Sequence, residues 1–279
     1  MPELPEVETI VRSLNSGCGS IKPITGKTVA KVKLLWKRTL SGGSILTLRK
    51  RLIGQSVQAV ERRGKFVVIQ FKEQYLLIHL RMSGDLRVES SIDEKGRPKP
   101  LQKHDRLVLE FRDGTRLAFN DTRKFGRAWL TKEPQEVLGK LGAEPLDPAL
   151  TEAKFHRMIT RCRRQLKPLL LDQTFLAGLG NIYVDEALFA ARLHPLQNTS
   201  TLSEQQSGAL LKAIRSVLRK AIRRNGASID WVYRGGEFQN DFCVYQRDGQ
   251  PCPVCGTTIE RMLVGQRGTH YCPHCQRIG

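Results

Sequence analysis

Hydrophobic and polar positions change their spacing along the chain, and each change predicts a different kind of structure. Apolar residues recur at the spacing of one helix face at Val7, Ile10, Val11 and Leu14. An amphipathic helix should therefore begin almost at the N-terminus. Over residues 30–130, apolar and polar residues alternate in short runs, which predicts antiparallel sheet. From Thr151 onward the spacing is helical again. The pattern as a whole predicts an α+β protein of more than one domain.

The strands of the predicted sheet are short runs rich in β-branched and aromatic residues. They cover residues 30–36, 66–71, 75–80, 107–111, 116–119 and 127–130. Asp113-Gly114 stands between two of these runs and is a strong hairpin signal. The polar segment 88–104 interrupts the pattern and is interpreted as a surface loop. We expect an antiparallel β-sandwich or barrel here, flanked by the first helix.

Helix-start signals organise the second half of the chain. Thr151 can cap one helix, and Ser203 with Gln206 fits the capping box of a longer helix. That helix should end at Asn225-Gly226. The other predicted elements are a proline- and glycine-containing linker over 134–150, helices over 168–173 and 182–191, and a tight turn over 177–181.

The net charge of the chain indicates a binding partner. The chain has 46 Lys and Arg against 27 Asp and Glu, a net charge of +19. Such an excess indicates a polyanion, and nucleic acid is the first candidate because phosphate neutralisation drives its binding. A basic membrane-surface protein is the rival, but no helix pairs aromatic anchors with a basic face. There is no apolar run of about 18 residues and the N-terminus is acidic, so we expect no membrane contact and a cytoplasmic location.

Seven cysteines are an odd number, which argues against a disulfide framework. Four of them form two CxxC pairs separated by 16 residues, at Cys252, Cys255, Cys272 and Cys275. This spacing predicts a four-cysteine zinc site with a hairpin between the pairs and its turn at 265–268. With no open coordination position, the zinc would be structural. Cys18, Cys162 and Cys243 remain and are interpreted as reduced, ordinary residues.

The N-terminal stretch offers candidate chemistry. If Met1 is removed, Pro2 presents a secondary amine with the Glu3 carboxylate beside it in the chain. Such an amine can attack an electrophilic carbon and form an iminium, the Schiff-base route of covalent catalysis. The alternative is purely structural: Pro2 and Pro5 start a helix whose dipole the glutamates complement.

Three loops hold further candidates. Lys65 enters a strand and could position a departing oxygen or phosphate, although a solubilising charge is the ordinary interpretation. Met82 and Phe125 stand near loop tips, the second beside Arg123, as expected of a protein that fills the gap left by an extruded base. The alternative places both apolar residues in the core. Asn181 follows the tight turn, where backbone N–H groups suit a phosphate.

These motifs occur together and in one order. They are the N-terminal decapeptide, the segments 62–66, 79–86, 121–126 and 178–186, and the cysteine ribbon 252–275. In this combination the chain closely resembles the formamidopyrimidine-DNA glycosylase family over essentially its whole length. The resemblance implies a bifunctional DNA glycosylase and AP lyase of base excision repair. It would remove oxidised purines such as 8-oxoguanine and formamidopyrimidines from duplex DNA and cleave the strand by β,δ-elimination.

The resemblance also implies roles for single residues. The family's catalytic positions fall on Pro2 as the nucleophile, Glu3 as the acid of base loss, Glu6 as its support, Lys65 in β-elimination and Arg267 in δ-elimination. Its DNA-binding positions fall on Met82, His104, Arg123, Phe125, Arg164, Lys167 and Asn181, with Arg123 reading the orphaned cytosine. One structural zinc ion is implied on the four paired cysteines.

The fold implied is an N-terminal antiparallel β-sandwich flanked by helices, followed by a helix–two-turn–helix domain with a four-cysteine zinc finger. The expected divisions are residues 1–133 for the catalytic sandwich, 134–150 for the linker, 151–241 for the helical DNA-binding domain and 242–279 for the zinc finger. The partner would be duplex DNA with an oxidised base or an abasic site, at the bacterial nucleoid. A monomer is expected because no further apolar helix suggests an interface.

Two other functions stay open. An endonuclease VIII-type glycosylase would prefer oxidised pyrimidines, although Leu4-Pro5 and the arginine and phenylalanine of 121–126 favour the purine enzyme. A non-enzymatic damaged-DNA-binding zinc protein would be indicated by a retained Met1. In addition, segment 231–239 is shorter than the family's usual loop that closes over an extruded 8-oxoguanine, which leaves the lesion preference open.

Overall fold

The structure is a computed structural model that describes residues 1–17, 23–228 and 235–278. The described residues form two compact units. Unit 1 contains residues 1–2, 6–17, 23–140 and 228, and unit 2 contains residues 3–5, 141–227 and 235–278. Among the helices of these ranges, none combines the length and the apolar character needed to cross a lipid bilayer. The domain boundaries expected from the sequence stay a prediction.

Unit 1 contains two antiparallel four-stranded sheets. The strands are β1 (Val29–Leu34), β2 (Ala59–Arg63), β3 (Phe66–Gln70), β4 (Tyr75–His79), β5 (Gly84–Ser90), β6 (Asp105–Phe111), β7 (Thr115–Asp121) and β8 (Arg127–Thr131). One sheet has the order β1-β6-β7-β5 and the other β2-β3-β4-β8. The helices are α1 (Leu4–Ser16, from Glu6 onward in this unit), α2 (Ile45–Leu52) and α3 (Gln135–Leu138).

A single hydrophobic core joins the two sheets of unit 1. Val32 and Leu109 come from one sheet, and Ile69 and Ile78 from the other. The apolar face of α1 enters the same core through Val7, Ile10, Val11 and Leu14. Burial of these side chains is the main stabilising contribution to such a packing. The predicted sandwich with a helix against it is confirmed.

Four elements of unit 1, α2, α3, β2 and β5, have no counterpart among the predictions, and α3 lies in the segment predicted as the linker. The loop predicted over 88–104 is wrong at its start, because β5 continues to Ser90. Polar residues concealed this strand: Glu89 is paired with Arg116 on β7 at 2.7 Å, and Arg116 is only 2% exposed. A charged strand residue with a buried partner looks like a loop residue in the sequence alone.

Unit 2 is helical apart from one hairpin. Its elements are α4 (Glu152–Thr160), α5 (Leu166–Leu171), α6 (Asn181–Ala190), α7 (Glu204–Arg223), β9 (Glu260–Val264) and β10 (Arg267–Tyr271). Thr151 caps α4 by accepting Lys154 N–H at 3.2 Å, and the capping box of Ser203 and Gln206 starts α7. Both predicted helix starts are confirmed. Helices α4 and α6 pack against α7, and α6 also contacts β10.

Candidate active site

Glu3 lies inside unit 2, at the start of α6. Its side chain is 2% exposed, and Oε1 accepts the N–H of Ile182 at 3.2 Å. The next residue, Leu4, donates its N–H to the carbonyl of Gly178 at 3.0 Å. The N-terminus of a helix has unpaired N–H groups and a partial positive charge, so it stabilises a carboxylate. Glu3 is therefore held in a fixed position, immediately after Pro2 in the chain.

The two glycines of the turn before α6 make room for these N-terminal residues. A Cβ on Gly180 would lie 2.3 Å from Glu3 Cδ, and one on Gly178 would lie 2.6 Å from Leu4 Cδ1. Gly178 also has φ +100°, which L side chains rarely adopt. The predicted tight turn is present. Its glycines are explained by close approach of residues 3 and 4, and a phosphate contact at this turn stays a prediction.

Lys65 and Glu6 are buried in unit 1. Lys65 forms the two-residue turn between β2 and β3 together with Gly64, and its side chain is only 5% exposed. Glu6, in the first turn of α1, is 2% exposed. Lysine is almost never buried to this extent without a specific environment. The interpretation of Lys65 as a solubilising surface charge therefore does not fit, while its role in elimination stays a prediction.

His79 at the end of β4 shares the surroundings of Lys65. Its ring meets Phe66 edge to face at 4.7 Å between centroids, and Nδ1 accepts the N–H of Arg81 at 3.0 Å. Burial, followed by the nearby charges of Arg81 and Lys65, lowers the pKa of His79 to about 3. The imidazole is therefore neutral at physiological pH and acts as an acceptor.

Two loops meet at one end of the sheet that contains β5 and β7. They cover residues 80–83 and 122–126, and they lie close together because Gly84 and Asp121 at their bases are directly paired. They are called the gap-filling loops below, after the role predicted for them. Met82 is 42% and Phe125 48% exposed, so neither belongs to the core. The guanidinium of Arg123 stands 5.1 Å from the centre of the Phe125 ring, a cation–π contact. Their entry into DNA stays a prediction.

Lys167 and Asn181 both fix the backbone next to Arg267. The Lys167 ammonium is fully buried, 2.6 Å from Asp185 Oδ1 and 3.0 Å from the carbonyl of Gly268. Asn181 Nδ2 donates to the same carbonyl at 2.9 Å. Burial outweighs the carboxylate of Asp185 and lowers the pKa of Lys167. These two residues face the protein interior, and their DNA contacts stay predictions.

The hairpin itself differs slightly from expectation. Arg267 is the first residue of β10 and pairs with Val264, so the turn consists of Gly265 and Gln266 alone. The predicted four-residue turn is therefore too long. Arg267 is exposed, beside this turn.

Arg164, His104 and Asp185 differ in how far they are buried. Arg164 is 46% exposed and pairs with Asp172 at 2.8 Å, and His104 is half-buried just before β6. Asp185 was not anticipated, although it accepts the N–H of His270 at 2.9 Å as well as the Lys167 ammonium. Its signal in the sequence was an acid within the apolar run of α6.

The four paired cysteines converge in unit 2. Their Sγ atoms all lie within 4.8 Å of one another. The separations are 3.9 Å between Cys252 and Cys275 and 3.5 Å between Cys255 and Cys272. Thiolates about 2.3 Å from a tetrahedral zinc ion lie about 3.8 Å apart, so the set fits this metal. Cys162 and Cys243 are free thiols, as predicted, and Cys18 lies outside the described residues.

The first four residues of the predicted short loop over 231–239 lie outside the described residues, which resume at Gly235. Its consequence for lesion preference stays a prediction. Within the described part, Phe238 is 2% exposed and its ring lies 5.6 Å from that of Tyr183.

Family models match three successive parts of the chain. The N-terminal domain of formamidopyrimidine-DNA glycosylase matches residues 1–128, and the H2TH domain of the same enzyme matches residues 141–232. A zinc finger found in this glycosylase and in isoleucyl-tRNA synthetase matches residues 249–278. One structural zinc ion therefore belongs to this chain, on the four cysteines described above.

Relatives resemble the chain over its full length. Formamidopyrimidine-DNA glycosylase of Protochlamydia amoebophila is 39% identical over 286 residues, which cover 99% of this chain and all of the relative. The Lactococcus lactis enzyme in complex with N7-benzyl-Fapy-dG-containing DNA superposes with a TM-score of 0.88 at 36% identity, with 99% and 100% of the two chains covered. The same enzyme with oxidised-pyrimidine-containing DNA gives the same values. The chain is a member of the formamidopyrimidine-DNA glycosylase family.

Proposed function

We propose that this chain is a bifunctional DNA glycosylase and AP lyase that excises oxidised purines, 8-oxoguanine and formamidopyrimidines, from duplex DNA. The observation that supports this best is the fixed position of Glu3. Its buried carboxylate accepts a hydrogen bond at the start of α6, and Gly180 lacks the side chain that would displace it. A carboxyl group held in this way, one residue after a potential terminal amine, suits acid–base work at a sugar.

The reaction begins with the amine of Pro2, once Met1 has been removed. Its nitrogen lone pair attacks C1′ of the damaged nucleotide, and the bond from C1′ to the base breaks with its electron pair going to the base. The departing base takes up the proton that the amine nitrogen loses. Glu3 supplies a proton as the bond from C1′ to the ring oxygen opens, which leaves an iminium between Pro2 and C1′. The iminium acidifies C2′–H, because loss of that proton gives a conjugated enamine.

Strand cleavage then follows in two eliminations. Loss of the C2′ proton expels the 3′ phosphate, and a second elimination expels the 5′ phosphate. Lys65, buried in unit 1, is assigned to the first step, and the exposed Arg267 to the second step and to phosphate binding. Met82, Arg123 and Phe125 are assigned to the gap that the extruded nucleotide leaves, with Arg123 on the orphaned cytosine. His104, Arg164, Lys167 and Asn181 are assigned to the DNA backbone.

The test is borohydride trapping on duplex DNA with one 8-oxoguanine opposite cytosine. We expect a covalent adduct that is lost in Pro2→Gly and retained in Lys65→Ala. Pro5→Ala is the matched control, because it changes a proline of the same helix start and keeps the terminal amine. Absence of an adduct on both this duplex and an abasic-site duplex, with Met1 removal verified by mass spectrometry, would contradict the assignment and leave a DNA-binding protein.

The lesion class is tested in the same assay. The L. lactis relative has been crystallised with both a formamidopyrimidine- and an oxidised-pyrimidine-containing DNA. We expect this chain to trap on 8-oxoguanine more efficiently than on an oxidised pyrimidine. The reverse order would place it with the endonuclease VIII type in specificity.

We further propose that this chain works as a monomer at the bacterial nucleoid, where duplex DNA is found. We also propose that its domains divide after residues 133, 150 and 241.

A further inference from the structure

Arg106 is a buried arginine outside the roles assigned above. It lies on β6, is 8% exposed, and contacts two neighbouring segments. Its Nε donates to the carbonyl of Asp121 at 2.7 Å, and its Nη2 lies 3.2 Å from Nδ1 of His104. A guanidinium has five N–H donors and no acceptor. In both contacts Arg106 must therefore be the donor.

The contact with Arg106 determines the tautomer of His104. Because Nη2 can only donate, Nδ1 of His104 accepts and has no proton. The proton of the neutral imidazole then lies on Nε2. Within the described ranges, no protein group makes a hydrogen bond with Nε2 of this half-buried ring. The Nε2–H donor is therefore available to a group outside the protein.

Asp121 connects His104 to the gap-filling loops. Its N–H donates to the carbonyl of His104 at 2.9 Å. Its carboxylate is 1% exposed and accepts the hydroxyl of Ser83 in one loop and the N–H of Arg123 in the other, the latter at 3.2 Å. Ser83 Oγ accepts the same Arg123 N–H at 3.0 Å. Both loops and His104 thus belong to one hydrogen-bond network within unit 1.

We propose that Arg106 is a positioning residue that holds His104 as an Nε2–H donor toward a DNA phosphate. The inference rests on the proposed function, because it assumes that His104 meets the DNA backbone while the gap-filling loops enter the base stack. A neutral imidazole gives a directional hydrogen bond that needs a defined ring orientation, unlike the charge of a lysine. Through Asp121, Arg106 also sets the spacing between this phosphate contact and the two loops.

The direct test is nitrogen NMR on protein labelled in its histidine rings, without DNA and at mildly alkaline pH. The His104 signals, assigned by their loss in His104→Gln, should show a protonated Nε2 and an unprotonated Nδ1. Arg106→Met should convert them to a mixture of tautomers. Arg112→Met, at the exposed residue directly after β6, is the matched control and should leave them unchanged. A tautomer mixture or a protonated Nδ1 in the parent protein overturns the proposal.

A double-mutant cycle tests whether Arg106 acts through His104. On an abasic-site duplex, Arg106→Met should raise KM about fivefold, the effect of losing one hydrogen bond, with a smaller change in kcat. In the His104→Gln background the same substitution should have a much smaller effect, limited to the part that reaches the two loops through Asp121. Fully additive effects overturn the proposal. If the parent protein forms no borohydride adduct, the proposed function fails, whereas the tautomer measurement needs no DNA and stands by itself.

Discussion

At the scale of single residues, Gly180 has the most restricted environment around the proposed chemistry. The Cβ of any other residue at this position would lie 2.3 Å from Glu3 Cδ, in the space that the carboxyl group occupies. Hydrogen bonds to the backbone hold Glu3 and the turn before α6 in place. Leu4 N–H donates to the carbonyl of Gly178, and Glu3 Oε1 accepts the N–H of Ile182. Relief of the clash must therefore move the carboxylate itself.

We expect Gly180→Ala to slow base excision by on the order of 10²-fold, because a displacement of about 1 Å costs that much at a catalytic group. Cleavage of a preformed abasic site should be affected less, since no base must leave. Single-turnover assays on the two substrates measure this split. Gly208→Ala is the matched control, because there a Cβ meets only the flexible carboxylate end of Glu152 and helix propensity improves. Equal rates for Gly180→Ala and parent protein would contradict the role of Glu3.

The neutral ring of His79 makes the stability of the protein depend on pH. Its pKa is about 3 in the folded protein against 6.5 for the ordinary group, so the unfolded chain binds a proton that the folded chain does not. The stability from the neutral ring is complete above the unfolded pKa and is lost as the pH falls from 6.5 toward 3.

We expect His79→Asn, which keeps an acceptor for Arg81 N–H, to remove this dependence. Between mildly acidic and neutral pH, the difference in unfolding free energy between parent and variant should change by at most about 1.4 kcal/mol per pH unit. Urea denaturation at several pH values measures it, and a pH-independent difference would show that folding does not lower the pKa of His79.

At the scale of elements, the zinc ribbon depends on its metal more than on its core. Its buried cluster consists of Phe189, Val244, Cys252, Ile259 and Cys272, two of which are zinc ligands. An isolated two-stranded hairpin such as β9–β10 is at best marginally stable in water. Binding of structural zinc contributes on the order of 10 kcal/mol in comparable small sites.

Removal of zinc should therefore unfold the hairpin and release Arg267 from its strand position. We expect Cys272→Ser, or treatment with a strong chelator, to bring the zinc content close to zero. Trypsin should then cleave after Arg261 and Arg267, whose side chains are exposed but whose backbone is held in the β9–β10 hairpin. Cys162→Ser is the matched control, because Cys162 is a free thiol away from the metal set. Full protease resistance after verified zinc loss would show that packing alone maintains the hairpin.

At the scale of the whole molecule, the net charge of +19 should govern binding to undamaged duplex DNA. Each neutralised phosphate releases counterions, so the logarithm of the binding constant falls linearly with the logarithm of the salt concentration. An arginine that meets a phosphate contributes about 0.9 to this slope. An arginine that remains in solvent contributes much less.

We expect Arg164→Ala to reduce the salt slope by about one phosphate contact. Arg12→Ala is the matched control, because Arg12 is also an exposed arginine paired with an acid, 61% exposed and bound to Glu8 at 2.9 Å. Its loss removes the same charge and should leave the slope nearly unchanged. Fluorescence anisotropy over a range of salt concentrations measures both variants, and equal slope changes would indicate non-specific attraction by net charge alone.

The sequence by itself determined the features that depend on neighbours in the chain. The caps at Thr151 and Ser203, the apolar face of α1 and the hairpin turn at Asp113-Gly114 all appear where they were expected. The spacing of the CxxC pairs also sufficed to predict the metal site. In each of these features the interacting groups lie within a few residues or a regular period, so the local pattern contains the physical cause.

Only the tertiary structure decided which polar groups are buried together. The contact of Glu3 with the start of α6, the pairing of Lys167 with Asp185 and the burial of Arg116 against Glu89 each join residues far apart in the chain. A lone charged residue has the same appearance in a sequence whether it faces solvent or a buried partner. Its partner is set by packing, because a charge can be buried only where the fold supplies an opposite charge or a hydrogen bond.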